Sequence, residues 1–220
     1  MNFDVIFNYM PMYTKAFLLT IKIGWIGIAL SIGIGIVAAF ILHFKIPVLS
    51  QIVKVYVELF RNTPLLVQLF FIYFGLPKIG LSISAEVCGA VGLGLLGGSY
   101  MAESFRSGLE AVPLSQTESA QALGMNRLQM FESVIPPQAF SISVPAIVAN
   151  IIFLLKETSV FSAISLMDLM FTAKDLIGQY YNTTECLFML VGFYIVMLLP
   201  VSILGLSLIH ISEPTRLRRI

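Results

Sequence analysis

Charge is scarce in this sequence. Of its 220 residues only 11% are Asp, Glu, Lys or Arg, while 58% are hydrophobic. A soluble domain carries roughly 25% charged residues, and the mean hydropathy of +0.92 excludes an ordinary water-soluble fold. The two cysteines, Cys88 and Cys186, each lie inside an apolar run without the paired spacing of a zinc or redox motif, so both read as packing residues. The two histidines, His43 and His210, are isolated, and with no H-E-x-x-H or comparable cluster no metal site is expected. No G-x-x-x-x-G-K-[ST] loop occurs, so the chain is not expected to hydrolyse nucleotide itself. The net charge is +1 and no polybasic block occurs, which sets nucleic acid aside as a partner. No basic cluster precedes the first apolar run, so a cleaved signal peptide is not expected and the first span serves as the insertion signal. Internal repeats and low-complexity stretches are absent.

What the sequence does have is uncharged runs of membrane length. A hydrocarbon core about 30 Å thick needs roughly 20 apolar residues per helix, so the length allows about five or six spans. Residues 23–42 are uncharged, opened by Lys22 and Trp25 and closed by His43 and Lys45, flanks suited to a membrane interface. Residues 62–77, extended backward over 53–60, give a second span, polar at one end through Glu58 and Arg61. The third, residues 85–101, carries Gly89, Gly92, Gly94, Gly97 and Gly98, small residues that let helices approach closely. Residues 134–155 make a fourth, expected to bend at its prolines. Residues 159–167 are too short to cross and read as an interfacial or re-entrant segment, and residues 186–209 form the fifth span.

Residues 102–133 break this pattern with a charge every few positions and read as a long extramembrane loop. Pro113 stops the incoming helix, and Ser115 followed by Glu118 has the spacing of a capping box. Ala120, Ala122 and Leu123 favour helix, Gly124 can take a left-handed C-terminal turn, and Asn126 with Gln129 can cap a second helix, which Pro136 and Pro137 end. Two short helices joined at a glycine are marginal alone in water. The loop is either a capped connector, with Glu118 serving its own helix, or a docking element for a partner.

The segment from Glu118 to Gly124, followed after nine residues by Val134-Ile-Pro-Pro137, resembles the EAA motif, E-A-A-x-x-x-G-x9-I-x-L-P, of bacterial ATP-binding-cassette importer permeases. Ser119, Val134 and Pro136 depart mildly from that pattern. Residues 61–68 (RNTPLLVQ), 100–106 (YMAESFR) and 155–159 (LKETS) are similar to the polar amino acid branch of the same family. The resemblance covers about residues 13–208, one transmembrane domain. It implies an all-α, polytopic transmembrane bundle of about five spans with a short cytoplasmic coupling helix between spans three and four, in which Glu118, Ser119, Ala120, Leu123 and Gly124 meet a separate ATPase subunit. It further implies a bacterial inner-membrane permease for polar amino acids, working with a second permease copy or paralogue and an extracytoplasmic amino acid-binding protein. ATP and Mg would belong to the ATPase, and no cofactor to this chain. The N-terminus would lie outside and the C-terminus in the cytoplasm.

Lys and Arg number eight on the side of the loop and five on the other, which favours a cytoplasmic loop. Three of the eight, Arg216, Arg218 and Arg219, lie in the last five residues, and without them the sides are equal. Glu58 and Arg61, three apart, either neutralise each other or leave Arg61 to line the mouth of a pathway. Glu103 and Arg106 repeat the spacing and should order the start of the loop. Lys156 and Glu157 follow an apolar run, where ionisable groups face protein or water rather than lipid. They form either a structural pair or, with Thr158 and Ser159, a site for a zwitterion. Gln68, Tyr100 and Asn150 are further polar candidates inside spans. The competing reading is an ion-coupled secondary amino acid transporter, with the breaks near Pro64 and Pro145 as its site, although no repeated half is visible. Residues 209–220 depart from the resemblance and contain Pro214, so the native sequence is expected to stop near Leu208, with a non-native tail beyond.

Overall fold

A computed structural model describes residues 2–212, and the described residues are helical with short connections. Helix α1 spans Phe3–His43. Asn2 caps it by accepting from the Asp4 N–H. At about 1.5 Å per residue, 41 residues reach roughly 62 Å, about twice the hydrocarbon thickness. The first span is therefore the C-terminal part of a helix that starts some twenty residues earlier than the uncharged run suggests. Apolar residues before Lys15 and Lys22 continue the helix without a break.

Helix α2 (Leu49–Arg61) and helix α3 (Leu65–Phe70), the latter continued by wider and tighter helical turns to Ile79, do not form one straight span. They meet at a bend of 107°. The cause is local: Asn62 and Thr63 turn their side chains back onto the Glu58 and Leu59 carbonyls, and Pro64 cannot donate to continue the ladder. Residues 65–79 alone reach only about 22 Å at helical rise, so α3 crosses only in combination with α2. Helix α4 (Ala85–Glu110) runs nine residues beyond the expected end of span three, which puts Glu103, Arg106 and Glu110 on a helix rather than in a loop. Helices α5 (Leu114–Ala122) and α6 (Arg127–Ser133) follow. Helix α7 (Ile135–Glu157) is begun by Pro136 and Pro137 rather than preceded by them, because proline suits the first helical turn.

A tight helical turn, Thr158–Ile164, extends α7, so residues 159–164 continue that helix rather than forming a separate segment. Helix α8 (Leu169–Tyr180) and helix α9 (Thr183–Ser212) complete the described chain. Helix α9 continues through residues 209–212 of the expected tail; residues 213–220, with Pro214, lie outside the described ones. Among the described residues four helical units are long and apolar enough to cross a membrane, five where the bent α2–α3 pair counts as one broken span.

The core forms where α1 and α4 lie against each other. Their hydroxyls are satisfied internally: Ser31 donates to the Gly27 carbonyl at 2.8 Å, as buried serines on helices do. A side chain at Gly97 would strike Ser31 and Leu154, and one at Gly108 would strike Ser143, so glycine at these two positions sets how closely α4 meets α1 and α7. Leu65, Leu69, Leu93, Leu154 and Phe161 fill the centre. A second cluster lies at the start of α1, where Tyr13 and Ala16 pack against Leu169, Leu176 and Cys186 of α8 and α9, and the buried Tyr13 hydroxyl donates to the Cys186 carbonyl at 2.8 Å. Little of α9 is buried, 11% of its most apolar window.

Candidate functional site

The loop between α4 and α7 is built by capping chemistry. Gly124 has φ +80°; its N–H donates to the Gln121 carbonyl and that of Met125 to the Ala120 carbonyl. This is the Schellman closure of a helix C-terminus, which a left-handed residue permits. Asn126 then opens α6 with a reciprocal capping box to Gln129, both bonds 2.9 Å. The expected Ser115–Glu118 box does not form: α5 is capped by Pro113 with no side-chain hydrogen bond, so Ser115 already lies inside the helix, too late to cap it, and Glu118 is left exposed.

The loop is fastened to the bundle from inside. Ala120 and Met130 are buried, the Phe131 ring packs against Phe40 and Phe44 at the end of α1, 5.5 and 5.4 Å between centroids, and the Gln138 amide reaches Gln116 at 3.2 Å. Its outer side is open and carries three exposed leucines among polar residues. Leu114, Leu123 and Leu128 are 79%, 82% and 64% exposed, beside exposed Glu118, Ser119 and Gly124. Of the predicted docking residues, four therefore face outward, while Ala120 faces the bundle. No local pattern signals the role of Phe131, because its partners are on α1, far upstream in the chain.

At the same end of the bundle, an ionic cleft of about 920 Å³ lies between the end of α1, the polar face of α2 and the last turns of α4. Arg61 does not pair with Glu58. It stands 3.8 Å from Glu103 and 5.3 Å above the Tyr100 ring, a cation–π arrangement, because the bend after Asn62 turns α2 toward α4. Arg106 pairs with Glu103 as expected and also grips Glu110 at 2.7 Å. Glu103 thus joins two arginines, a role hidden by the long stretch of chain between Arg61 and Glu103.

The remaining polar candidates divide. The Gln68 amide nitrogen braces the α2–α3 break, 3.0 Å from the carbonyls of Phe60 and Thr63. Its buried Oε1 has no protein partner among the described residues. Tyr100 meets Phe153, and Asn150 donates to the Ser104 hydroxyl at 2.9 Å, so both join α4 to α7. Lys156 is exposed in an apolar groove between α7 and α9, Glu157 and Ser159 are half-buried, and buried Thr158 donates to the Leu155 carbonyl at 2.7 Å. Arg61 with Tyr100 and Lys156 with its neighbours accordingly occupy separate regions.

Asp168 shows in the sequence only as a charge after an apolar run. It is fully buried and caps α8, accepting from the Phe171 N–H at 2.9 Å. Its other oxygen is unpartnered among the described residues, and burial pushes its carboxyl up to about 7 against the pull of the backbone N–H groups.

Fold and loop together define a polytopic α-helical membrane subunit that presents a short helix–glycine–helix element at one end. The family model described as binding-protein-dependent transport system inner membrane component matches residues 31–217, and the chain belongs to this family, as a permease subunit rather than an enzyme. It is 37% identical over 163 residues, 74% of this chain and 75% of the other, to the probable glutamine ABC transporter permease protein GlnP of Bacillus subtilis (strain 168). It is 31% identical over 206 residues, 93% and 94% of the two chains, to the arginine transport system permease protein ArtQ of the same organism. A solved chain described as the crystal structure of an amino acid ABC transporter with histidines superimposes with a TM-score of 0.88 at 30% identity, covering 96% of this chain and 98% of that one.

Proposed function

We propose that this chain forms the translocation pathway of an ATP-driven importer for polar amino acids, with residues 13–208 as its transmembrane domain. The observation that carries the mechanism is the α5–Gly124–α6 element: rigidly capped, fastened inward through Ala120, Met130 and Phe131, and bearing an uncovered leucine surface outward. Exposed apolar side chains gathered in one patch, rather than scattered singly, mark a contact surface. The occupant is an ATPase subunit, which holds ATP and Mg. Closure of two ATPases around nucleotide pushes on the loop, and the capped turns pass that movement to α4 and α7 as rigid-body rotation. The amino acid class follows from the relatives, whose names refer to glutamine, arginine and amino acids generally.

On this reading the loop end of the bundle faces the cytoplasm, the N-terminus lies outside, and an extracytoplasmic binding protein delivers the cargo. A second permease, identical or paralogous, covers the sparsely packed apolar face of α9 and the groove holding Lys156, since an ammonium at membrane depth requires protein or water around it. Uptake by membrane vesicles containing the chain, its neighbouring ATPase and its binding protein tests the proposal. ATP-dependent accumulation of a labelled amino acid that requires all three proteins is expected; proton- or sodium-driven uptake by this chain alone would sink it.

A further inference from the structure

The two walls of the ionic cleft are chemically different. On α4, Glu103 and Glu110 are neutralised by Arg106 and Arg61. Across from them, Lys54 and Glu58 stand one turn apart on the same face of α2 and both line the cleft. They form no ion pair with each other or with any described residue, and neither does Lys45, which closes the cleft from the end of α1. A lysine preceding a glutamate by four residues is the weaker order for a helical ion pair, and both side chains are exposed. The α2 wall therefore offers a cation and an anion, about 5–6 Å apart at Cβ by helix geometry, with their hydrogen-bonding capacity unspent.

We infer that this wall is a release site for the backbone of a zwitterionic amino acid, on the side of the membrane where the loop docks: Lys54 receives the carboxylate and Glu58 the ammonium. The inference rests on the transport reading given above. A cation and an anion one helical turn apart offer a partner to each charge of an α-amino acid, whereas a purely anionic ligand would be repelled by Glu58 and a purely cationic one by Lys54 and Lys45. The site is open to water, so binding is weak, as suits a point of departure. The paired wall on α4 keeps Arg61 and Arg106 from competing for the cargo carboxylate. Recognition involves only backbone groups, so the site does not distinguish among neutral polar side chains.

The test uses the permease–ATPase complex in phosphatidylcholine nanodiscs without the binding protein, with saturation-transfer NMR of millimolar L-glutamine as the readout. Wild type should give a signal that weakens about tenfold for N-acetyl-L-glutamine and for L-glutamine α-amide, since each derivative removes one charge-assisted hydrogen bond. Glu58→Gln and Lys54→Gln should weaken it similarly. The swap Lys54→Glu with Glu58→Lys should restore it, because a zwitterion can bind reversed. Unchanged glutamine signals in both single variants, or a swap no better than the singles, would overturn the inference. A signal that depends on phosphatidylethanolamine instead of glutamine would assign the wall to a lipid headgroup and overturn it as well. Uptake by the complete wild-type system is measured in parallel: loss of the NMR contrast with intact uptake refutes this site alone, while absent uptake refutes the transport reading.

Discussion

Asp168 makes the stability of the protein depend on pH. Its carboxyl ordinarily titrates near 3.8 and is held at about 7 by burial. Between those values the folded protein keeps a proton that the unfolded chain has released, so this contribution to stability is complete below about pH 4, falls as pH rises, and levels off above about pH 7. We expect the melting temperature of the detergent-solubilised protein to decline across that window, and Asp168→Asn, which keeps a capping oxygen, to flatten the decline; an identical pH profile in the variant would count against it. Glycines separate just as sharply. Gly97→Val drives a side chain into Ser31 and Leu154, and overpacking of this kind costs about 1–3 kcal/mol; the folded yield on size exclusion should fall. Gly33→Ala, with nothing within 4 Å, should leave it equal or raise it, since alanine gains roughly 0.8–1 kcal/mol of helix propensity.

Among elements, the loop makes the clearest prediction. At Gly124 a side chain would meet no atom within 4 Å, yet φ is +80°, and left-handed backbone costs an ordinary L-residue about 1–2 kcal/mol. Gly124→Asn, which tolerates that conformation, should keep more ATP-dependent uptake than Gly124→Val. Gly124→Asp, which also places a charge on the proposed docking surface, should abolish uptake while the protein still inserts. Normal coupled transport in Gly124→Asp would refute the docking role. This element is also the most legible in the sequence, because caps and left-handed turns are decided by a few consecutive residues: Gly124 and the Asn126–Gln129 box behave as their types predict. Where distant partners decide, local pattern misleads. Spacing pairs Arg61 with Glu58, but the break at Pro64 sends it to Glu103. Apolar content continues across Asn62 and Thr63 and so suggests a straight second span, whereas their side chains turn back on the helix they end. Apolar length likewise does not reveal that α1 begins at Phe3, since Lys15 and Lys22 interrupt the pattern without interrupting the helix.

For the whole molecule, the proposed orientation, with the loop in the cytoplasm, predicts sidedness. Ser119 and Tyr181 are both exposed, at the loop end and at the turn between α8 and α9, while the native Cys88 and Cys186 are buried. An impermeant maleimide applied to intact cells should label Tyr181→Cys and spare Ser119→Cys, with the pattern reversed in inside-out vesicles. Equal labelling from one side would require a different number of crossings. Lys22 and Glu86, paired at 3.0 Å, mark the level at which α4 begins; the part of α1 before Lys22 belongs instead to the packing of α8 and α9.

That last arrangement bears on the order in which the chain is made. The Tyr13 hydroxyl and its acceptor at Cys186 are separated by 173 residues, so α1 leaves the ribosome well before α9 and waits for it before its buried phenol is satisfied. Throughout synthesis the early half of α1 keeps Tyr13, Ala16 and Thr20 uncovered, while its later half can already close on α4. A chain stopped before α9 would therefore have a settled centre and an unfinished end around Tyr13.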